Sequence, residues 1–374
     1  MRLRHPAALA ALTASAALGH VGYPAALYAG RRATGRRRRP PTPAAVPPPV
    51  TVVIPAYHEA GVIAAKVTDI EANGYAGDLE VLVVADGDPE TEEKARAAGA
   101  RTILLPERCG KSQAVNKGVE AATTEVVVIT DAGHNRLEPG SIAALVKWFE
   151  LPNVGAVAGE KIEDQGGSEG VYWRFESMLK RWEADLGSTL GLDGGLCAVR
   201  RSTWRPIPDD ISNDDFWIGL DLMERGYSVA YEPTALVLEE SIGAVELQWE
   251  RRTRVLAGGL YVMWRKRHLL APSSRLVSFE LVGHKAWRST MGPLSQGALV
   301  LMALAAARRS RVARLFLLGH AAAGAGMVAS LQGKRPPRAL RLPSQVLFLQ
   351  AVAFGGMLRF LRGDRVIRWP KPAR

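Results

Sequence analysis

The chain has 374 residues, 47% of them hydrophobic and 23% charged, with a formal net charge of +11. That exceeds one average domain, and such apolar content beside so much charge implies that hydrophobicity is segregated along the chain. The two cysteines, Cys109 and Cys197, lack metal-ligand spacing and cannot build a disulfide framework. They exclude a small secreted scaffold and suit a reduced compartment. Nor does the positive charge read as a nucleic-acid face, since much of the arginine lies beside apolar segments, as at membrane flanks.

Residues 6–29 are nearly all apolar and long enough to cross a bilayer with some tilt. A signal peptide cleaved near Ala16 is the alternative, but the apolar run continues past that point. Arg31, Arg32 and Arg36, Arg37, Arg38 and Arg39 follow it, against Arg2 and Arg4 before it. That bias predicts the following region on the cytoplasmic side. Residues 40–49 are a Pro/Ala spacer.

A βα rhythm then begins. Strands are predicted over residues 51–55, 79–85, 101–105 and 125–130, and helices over 59–72, 90–98, 111–121 and 139–149. The fourth strand, with four β-branched residues in succession, has the composition of a strand buried on both faces. Alternating units of this length predict an α/β fold with a doubly wound, mostly parallel sheet. An amphipathic helix follows over 170–186, short strands over 194–199 and 228–231, and a helix over 214–225 between them. Residues 243–268 read as a long basic helix whose Tyr261, Trp264, Arg265, Lys266 and Arg267 suit a membrane interface. Apolar stretches at 293–307, 312–331 and 344–358 predict three further membrane helices, with arginines at both ends of each. The chain therefore divides into an N-terminal span (1–30), a basic linker (31–49), a cytosolic domain (50–260), an interfacial segment (261–292), a membrane region (293–358) and a basic tail (359–374).

Neither a G-x-G-x-x-G after the first strand nor a P-loop motif is present, which removes the main support for dinucleotide or P-loop chemistry. Instead the strand ends carry acids: Glu59 after the first, Asp86 after the second and Asp131 after the fourth. In open α/β sheets ligands bind off the carboxyl ends of the strands. Carboxylates there suit sugar hydroxyls, a nucleobase N–H and a hard divalent cation, Mg²⁺ or Mn²⁺, bridging to phosphates. Adjacent Asp214 and Asp215 serve either as dipole-complementing residues at a helix start or as a carboxylate pair that raises one member toward a working base.

Six motifs occur in order: Val53-Ile-Pro-Ala-Tyr-His-Glu59, Val84-Ala-Asp-Gly87, Gly110-Lys-Ser-Gln-Ala-Val-Asn116, Thr130-Asp-Ala132, Asn213-Asp-Asp215 and Gln248-Trp-Glu-Arg251. Together, over roughly residues 50–259, the chain resembles family 2 glycosyltransferases of the cellulose-synthase-like, membrane-bound branch. Gly283-His-Lys285 and Arg359-Phe-Leu-Arg-Gly363 with Trp369 extend the likeness into the tail. The resemblance implies a GT-A fold and inverting transfer from a nucleotide-sugar, a UDP-sugar foremost, to a polysaccharide or lipid-linked acceptor at the inner face of the cell membrane. It implies that Pro55, Glu59, Asp86 and Lys111 bind the donor and that Asp131 holds a Mg²⁺ or Mn²⁺ on the diphosphate. Asp215, beside Asp214, matches the catalytic base. Gln248, Arg251 and Arg252, with Gly194 and Gly195, would serve the acceptor and diphosphate. Other polysaccharide synthesis or export proteins are the expected partners, besides membrane and substrates.

Two departures from the family pattern stand out. Gly133 occupies the position of a second metal ligand, which His134 or Asn135 would have to replace, and Arg252 occupies that of an acceptor-stacking Trp. They motivate an alternative, a non-catalytic membrane subunit of a polysaccharide synthesis complex. His58 for the usual Asn is a smaller change. Acceptor selection would fall to loops around 164–169 and 193–195.

Overall fold

The computed structural model describes residues 6–133, 135–163, 168–239, 245–272 and 275–364. The chain divides into two compact units. One comprises residues 31–164, 176–241 and 365–374; the other comprises 1–30, 165–175 and 242–364.

The chain opens with helices α1 (Pro6–Ala17) and α2 (Tyr23–Thr34), joined by a π-helical turn at Leu18–Gly22. The βα series follows: β1 (Val50–Ala56), α3 (Ile63–Glu71), β2 (Leu79–Ala85), α4 (Pro89–Ala97), β3 (Arg101–Leu104), α5 (Lys111–Ala121) and β4 (Val126–Thr130). Next come β5 (Asn135–Leu137), α6 (Ser141–Val146), β6 (Val154–Glu163), α7 (Ser168–Leu186), β7 (Leu196–Arg200), α8 (Asp214–Glu224) and β8 (Ser228–Glu239). These strands form one eight-stranded mixed sheet in the order β3-β2-β1-β4-β7-β6-β8-β5. β1 pairs in parallel with β2 and β4, whereas β7 runs antiparallel to both β4 and β6.

β1 and β4 are buried throughout, as continuous runs of β-branched residues require. Val52, Ile54, Val83 and Val128 are completely buried in the main core, each contributing about 1.5–3 kcal/mol relative to exposure. The sequence pattern does not reveal β6. Gly155 and Gly159 interrupt it, and three of the four residues at its end, Glu160, Lys161 and Glu163, are charged. Gly159 is required by packing: a Cβ there would lie 2.9 Å from the Ala235 carbonyl oxygen and 3.0 Å from that of Leu196. β8 runs eight residues beyond the predicted strand, because its second half pairs with β6 and β5. Helix α3 starts four residues later than predicted, since Tyr57–Val62 form the loop that carries Glu59.

The second unit is helical. It contains α9 (Val245–Arg265), α10 (Arg275–Glu280), α11 (Trp287–Ser289), α12 (Met291–Ala306), α13 (Arg311–Leu331) and α14 (Arg338–Leu361). Helix α9 runs across residue 260, the boundary expected from sequence between the cytosolic domain and the interfacial segment. Among the described residues three stretches are long and apolar enough to cross a membrane: Leu276–Ala306, Arg311–Leu331 and Arg338–Leu361. The first and last are longer than the sequence pattern predicted, and the N-terminal helices are not among the three. Polar pairs join the helices, as is common where the surroundings are apolar. Ser15 Oγ meets Ser295 Oγ at 2.6 Å, Gln296 Nε2 meets His320 Nε2 at 2.6 Å, and Arg359 Nη1 donates to Thr253 Oγ1 at 2.9 Å.

Candidate active site

Sheet topology brings the residues that follow the parallel strands to one edge. Because β1, β2 and β4 are parallel, the residues following them emerge on the same side. Antiparallel β7 starts where β4 ends, with Thr130 paired to Leu196. The Asp193-Gly194-Gly195 turn thereby comes beside Asp131, and Thr130 Oγ1 donates to the Gly195 carbonyl at 2.7 Å.

Lys111, first residue of α5, joins the carboxylates. Its Nζ lies 2.7 Å from Asp131 Oδ1 and 3.6 Å from Asp214 Oδ2. Burial works against its ammonium form, but Asp131, Asp214 and Asp215 outweigh this and raise its pKa. A Cβ added to Gly194 would stand 3.3 Å from Lys111 Nζ and 3.7 Å from Asp215 Oδ2. Asp131, Asp214, Asp215, Lys111 and Gly194 therefore share one constellation.

The convergence of α5 and α8 has a cause that the charged residues alone do not disclose. Asn116 Nδ2 donates to the Ile207 carbonyl at 2.8 Å, and Ile207 N donates to Asn116 Oδ1 at 2.8 Å. Ser112 Oγ donates to the Ile211 carbonyl at 2.7 Å. These buried side chains fasten the segment leading into Asp214 onto the face of α5. Both belong to the Gly110–Asn116 motif, so their type and spacing were the available signal.

Asp214 is buried beside Lys111, and Asp215 is half-buried at the start of α8. Burial raises the Asp215 carboxyl to about 6, the neighbouring Asp214 adds to the rise, and Lys111 opposes it. The backbone N–H of Phe216 donates to Asp215 Oδ1 at 2.7 Å. A carboxylate so poised accepts a proton more readily than an ordinary Asp, as a general base must.

Asp86 is 3% exposed, and both its oxygens serve the loop before α5. Oδ1 accepts from Cys109 N at 2.6 Å and Oδ2 from Gly110 N at 2.8 Å. Gly110 has φ +99°, a conformation that favours glycine, so this carboxylate and glycine together set where α5 begins. Pro55 is buried within β1 opposite Val84, one residue short of the strand end.

Glu59 is buried, and its N–H donates to Thr91 Oγ1 at 2.9 Å. The preceding residue, His58, has φ +52°, a region that His tolerates better than most residues and that accounts for a substitution at an Asn position. His58 N donates to Asp88 Oδ2 at 2.7 Å. The Glu59 carboxylate packs against Gly133, where a Cβ would come 2.8 Å from Oε2 and 3.0 Å from Oε1. Gly133 is therefore the residue that leaves room for Glu59.

Gln248, Arg251 and Arg252 stand on α9 in the helical unit. There Arg252, at the expected Trp position, places its guanidinium 6.0 Å from the centroid of the Phe348 ring on α14, which Trp249 meets edge-on at 6.2 Å. Arg252 thus packs as a cation on an aromatic face. Of the two proposed substitutes for the second ligand, Asn135 is engaged by Lys66 Nζ at 2.5 Å. His134, residues 164–167 and Trp369 lie outside the described residues. Cys197 is buried in β7, and burial pushes its thiol up, consistent with a packing role.

Among the described residues no group of three His, Cys, Asp or Glu side chains could hold a metal ion by itself. Asp131 nevertheless offers a hard oxygen donor on a side chain 41% exposed. Mg²⁺ is commonly bound by one or two carboxylates plus substrate phosphates. The donor set fits a divalent cation arriving with a diphosphate, not an ion caged by protein.

Residues 51–204 match the model of Glycosyl transferase family 2. An N-acetylglucosaminyltransferase of Sinorhizobium fredii is 25% identical over 287 residues, 68% of this chain and 66% of that protein. A poly-beta-1,6-N-acetyl-D-glucosamine synthase of Staphylococcus aureus is 23% identical over 232 residues, 58% of this chain and 55% of that one. The chain thus spans about half to two-thirds of the length of these curated relatives. In fold it is similar to the mannosyltransferase PcManGT from Pyrobaculum calidifontis in complex with GDP-Man and Mn²⁺, with a TM-score of 0.74, 24% identity, and coverage of 96% of this chain and 99% of that one. The mixed sheet is of GT-A type, and residues 51–204 of this chain carry the similarity to glycosyl transferase family 2.

Proposed function

We propose that this protein is a membrane-bound inverting glycosyltransferase. It moves a sugar from a nucleotide-sugar, a UDP-sugar foremost, to a polysaccharide or lipid-linked acceptor, with its active site on the cytoplasmic face of the inner membrane. The observation that carries the reading is the Asp131–Lys111–Asp214–Asp215 constellation at one sheet edge. Three helices apolar enough to cross a bilayer support membrane attachment, and the arginines following residue 29 favour a cytoplasmic domain.

Asp215 takes the proton of the acceptor hydroxyl as that oxygen forms its bond to the anomeric carbon. The bond between that carbon and the diphosphate oxygen breaks with its electron pair on the diphosphate, and configuration inverts. Lys111 holds a positive charge where the leaving group gains negative charge, a contribution that needs no reorganisation during reaction. Asp131 would hold a Mg²⁺ or Mn²⁺ on the diphosphate, supplying further charge neutralisation. Asp86 and Glu59 shape the donor side by fixing the loop before α5 and the turn after β1.

The test is transfer by the full chain in lipid vesicles, with labelled nucleotide-sugars offered one at a time and a chelator control. Transfer that needs Mg²⁺ or Mn²⁺ supports the reading, and product length separates chain elongation from single addition. Failure of every common nucleotide-sugar to release nucleoside diphosphate would instead favour a non-catalytic subunit of a polysaccharide synthesis complex.

A further inference from the structure

We propose that Lys180 and Asp193 form a positioning pair that holds the Gly194–Gly195 backbone where the acceptor hydroxyl must meet Asp215. This rests on the glycosyltransferase reading and adds to it two residues outside the acidic edge.

Lys180 of α7 reaches Asp193 with its Nζ 3.4 Å from Oδ2, and both side chains are nearly enclosed. The other oxygen of Asp193 accepts from Gly195 N at 3.1 Å, so the carboxylate ties the helix to the turn. Lys180 is itself seated: its Nζ lies 5.9 Å from the centroid of the Tyr231 ring. Tyr231 Oη and Ser177 Oγ both donate to Glu160 of β6. Burial disfavours charge on either partner, yet Asp193 is held below its ordinary value by Lys180 and Lys161, and Lys180 above its own by Asp193, Glu160 and Glu176. The pair is therefore charged in the folded protein.

The turn it holds touches the chemistry on three sides. Gly195 accepts from Thr130, the residue before Asp131. Leu192 N approaches the Asp215 carbonyl at 3.5 Å. Gly194 faces Lys111 Nζ and Asp215 Oδ2 with no side chain between. A buried ion pair seldom adds net stability over an apolar pair of similar volume, so what this one provides is a fixed geometry. The space over Gly194 lies between Lys111 Nζ and Asp215 Oδ2, and its Asp215 side is where the proposed reaction brings the attacking hydroxyl to the base.

Purified full-length protein in lipid vesicles would be assayed with its labelled donor, first with water as the only acceptor and then with an alkyl N-acetylglucosaminide as acceptor probe. Lys180→Met is expected to raise the acceptor KM roughly tenfold or more while the donor KM stays within about twofold, and Lys180→Arg to restore most of the loss. Lys180→Met leaves Asp193 buried without its ion-pair partner on α7, so its folding is followed by thermal unfolding. The double variant Lys180→Met/Asp193→Asn removes both charges, and is expected to recover thermal stability without recovering the acceptor KM. An unchanged acceptor KM in Lys180→Met, or recovery of both stability and KM in the double variant, would overturn the proposal. A wild type that breaks down no donor in either assay would overturn the glycosyltransferase reading, and this one with it.

Discussion

Replacing Asp214 by Asn removes one of the three influences, after burial and ahead of Asp193, that make Asp215 more basic. The Asp215 carboxyl stands at about 6 against an ordinary value of 3.8, through burial first and Asp214 second, with Lys111 pulling the other way. Asparagine keeps the burial and deletes the charge. It also frees Lys111 from its 3.6 Å contact with Asp214, which leaves that ammonium more available to Asp215. Both changes lower the Asp215 pKa, by on the order of one unit, or about 1.4 kcal/mol of differential interaction. The base must be unprotonated to act, so wild-type kcat/KM should fall tenfold per pH unit below about 6. In Asp214→Asn that acid limb should move to lower pH by about one unit, with a modest loss at the optimum because the base is weaker. The assay is release of nucleoside diphosphate from pH 4.5 to 8 at sub-saturating donor. An acid limb that stays in place, or moves upward, would refute the assignment of Asp215 as the titrating base raised by its neighbour.

Other substitutions probe how the site is held. Asp86→Ala leaves the N–H groups of Cys109 and Gly110 without their acceptor, at about 1–3 kcal/mol, and should raise the donor KM together with a lower thermal midpoint. Gly219→Ala puts a Cβ 2.6 Å from the Leu190 carbonyl oxygen, where backbone would have to shift. A cost of about 1–3 kcal/mol is expected, seen as a drop of several degrees in unfolding temperature. Gly194→Ala meets its nearest neighbour, the flexible end of Lys111, at 3.3 Å. It should unfold within a degree or two of wild type yet lose about tenfold in transfer, because the methyl group occupies acceptor space.

Where local composition determines the outcome, the sequence was readable. The βα rhythm up to β4 follows directly from β-branched runs and helical periodicity, and α5 and β2 begin and end where the pattern places them. Of the acids at the strand ends, Asp131 meets Lys111, which also approaches Asp214, at the carboxyl end of the parallel strands. What escaped depends on partners distant in the chain. β6 carries two glycines set by close packing, Gly155 against Leu222 and Tyr227 and Gly159 against Leu196 and Ala235, and those same glycines erase its pattern. Asn116 and Ser112 look like ordinary helix residues until the 207–211 segment is seen lying on them. Asp86 reads as a ligand-facing acid, and its further part in fixing the loop before α5, through the N–H groups of Cys109 and Gly110, shows only in the fold. Gly133 reads as a lost ligand, and only the position of Glu59 explains it.

Asp215→Asn tests the central claim most directly. The change keeps shape and polarity but removes the proton acceptor, so transfer to the acceptor should fall by about 10²–10⁴ while donor affinity stays within a few-fold. Measured side by side with wild type in the same vesicles, a variant that still transfers sugar at a comparable rate would contradict the account.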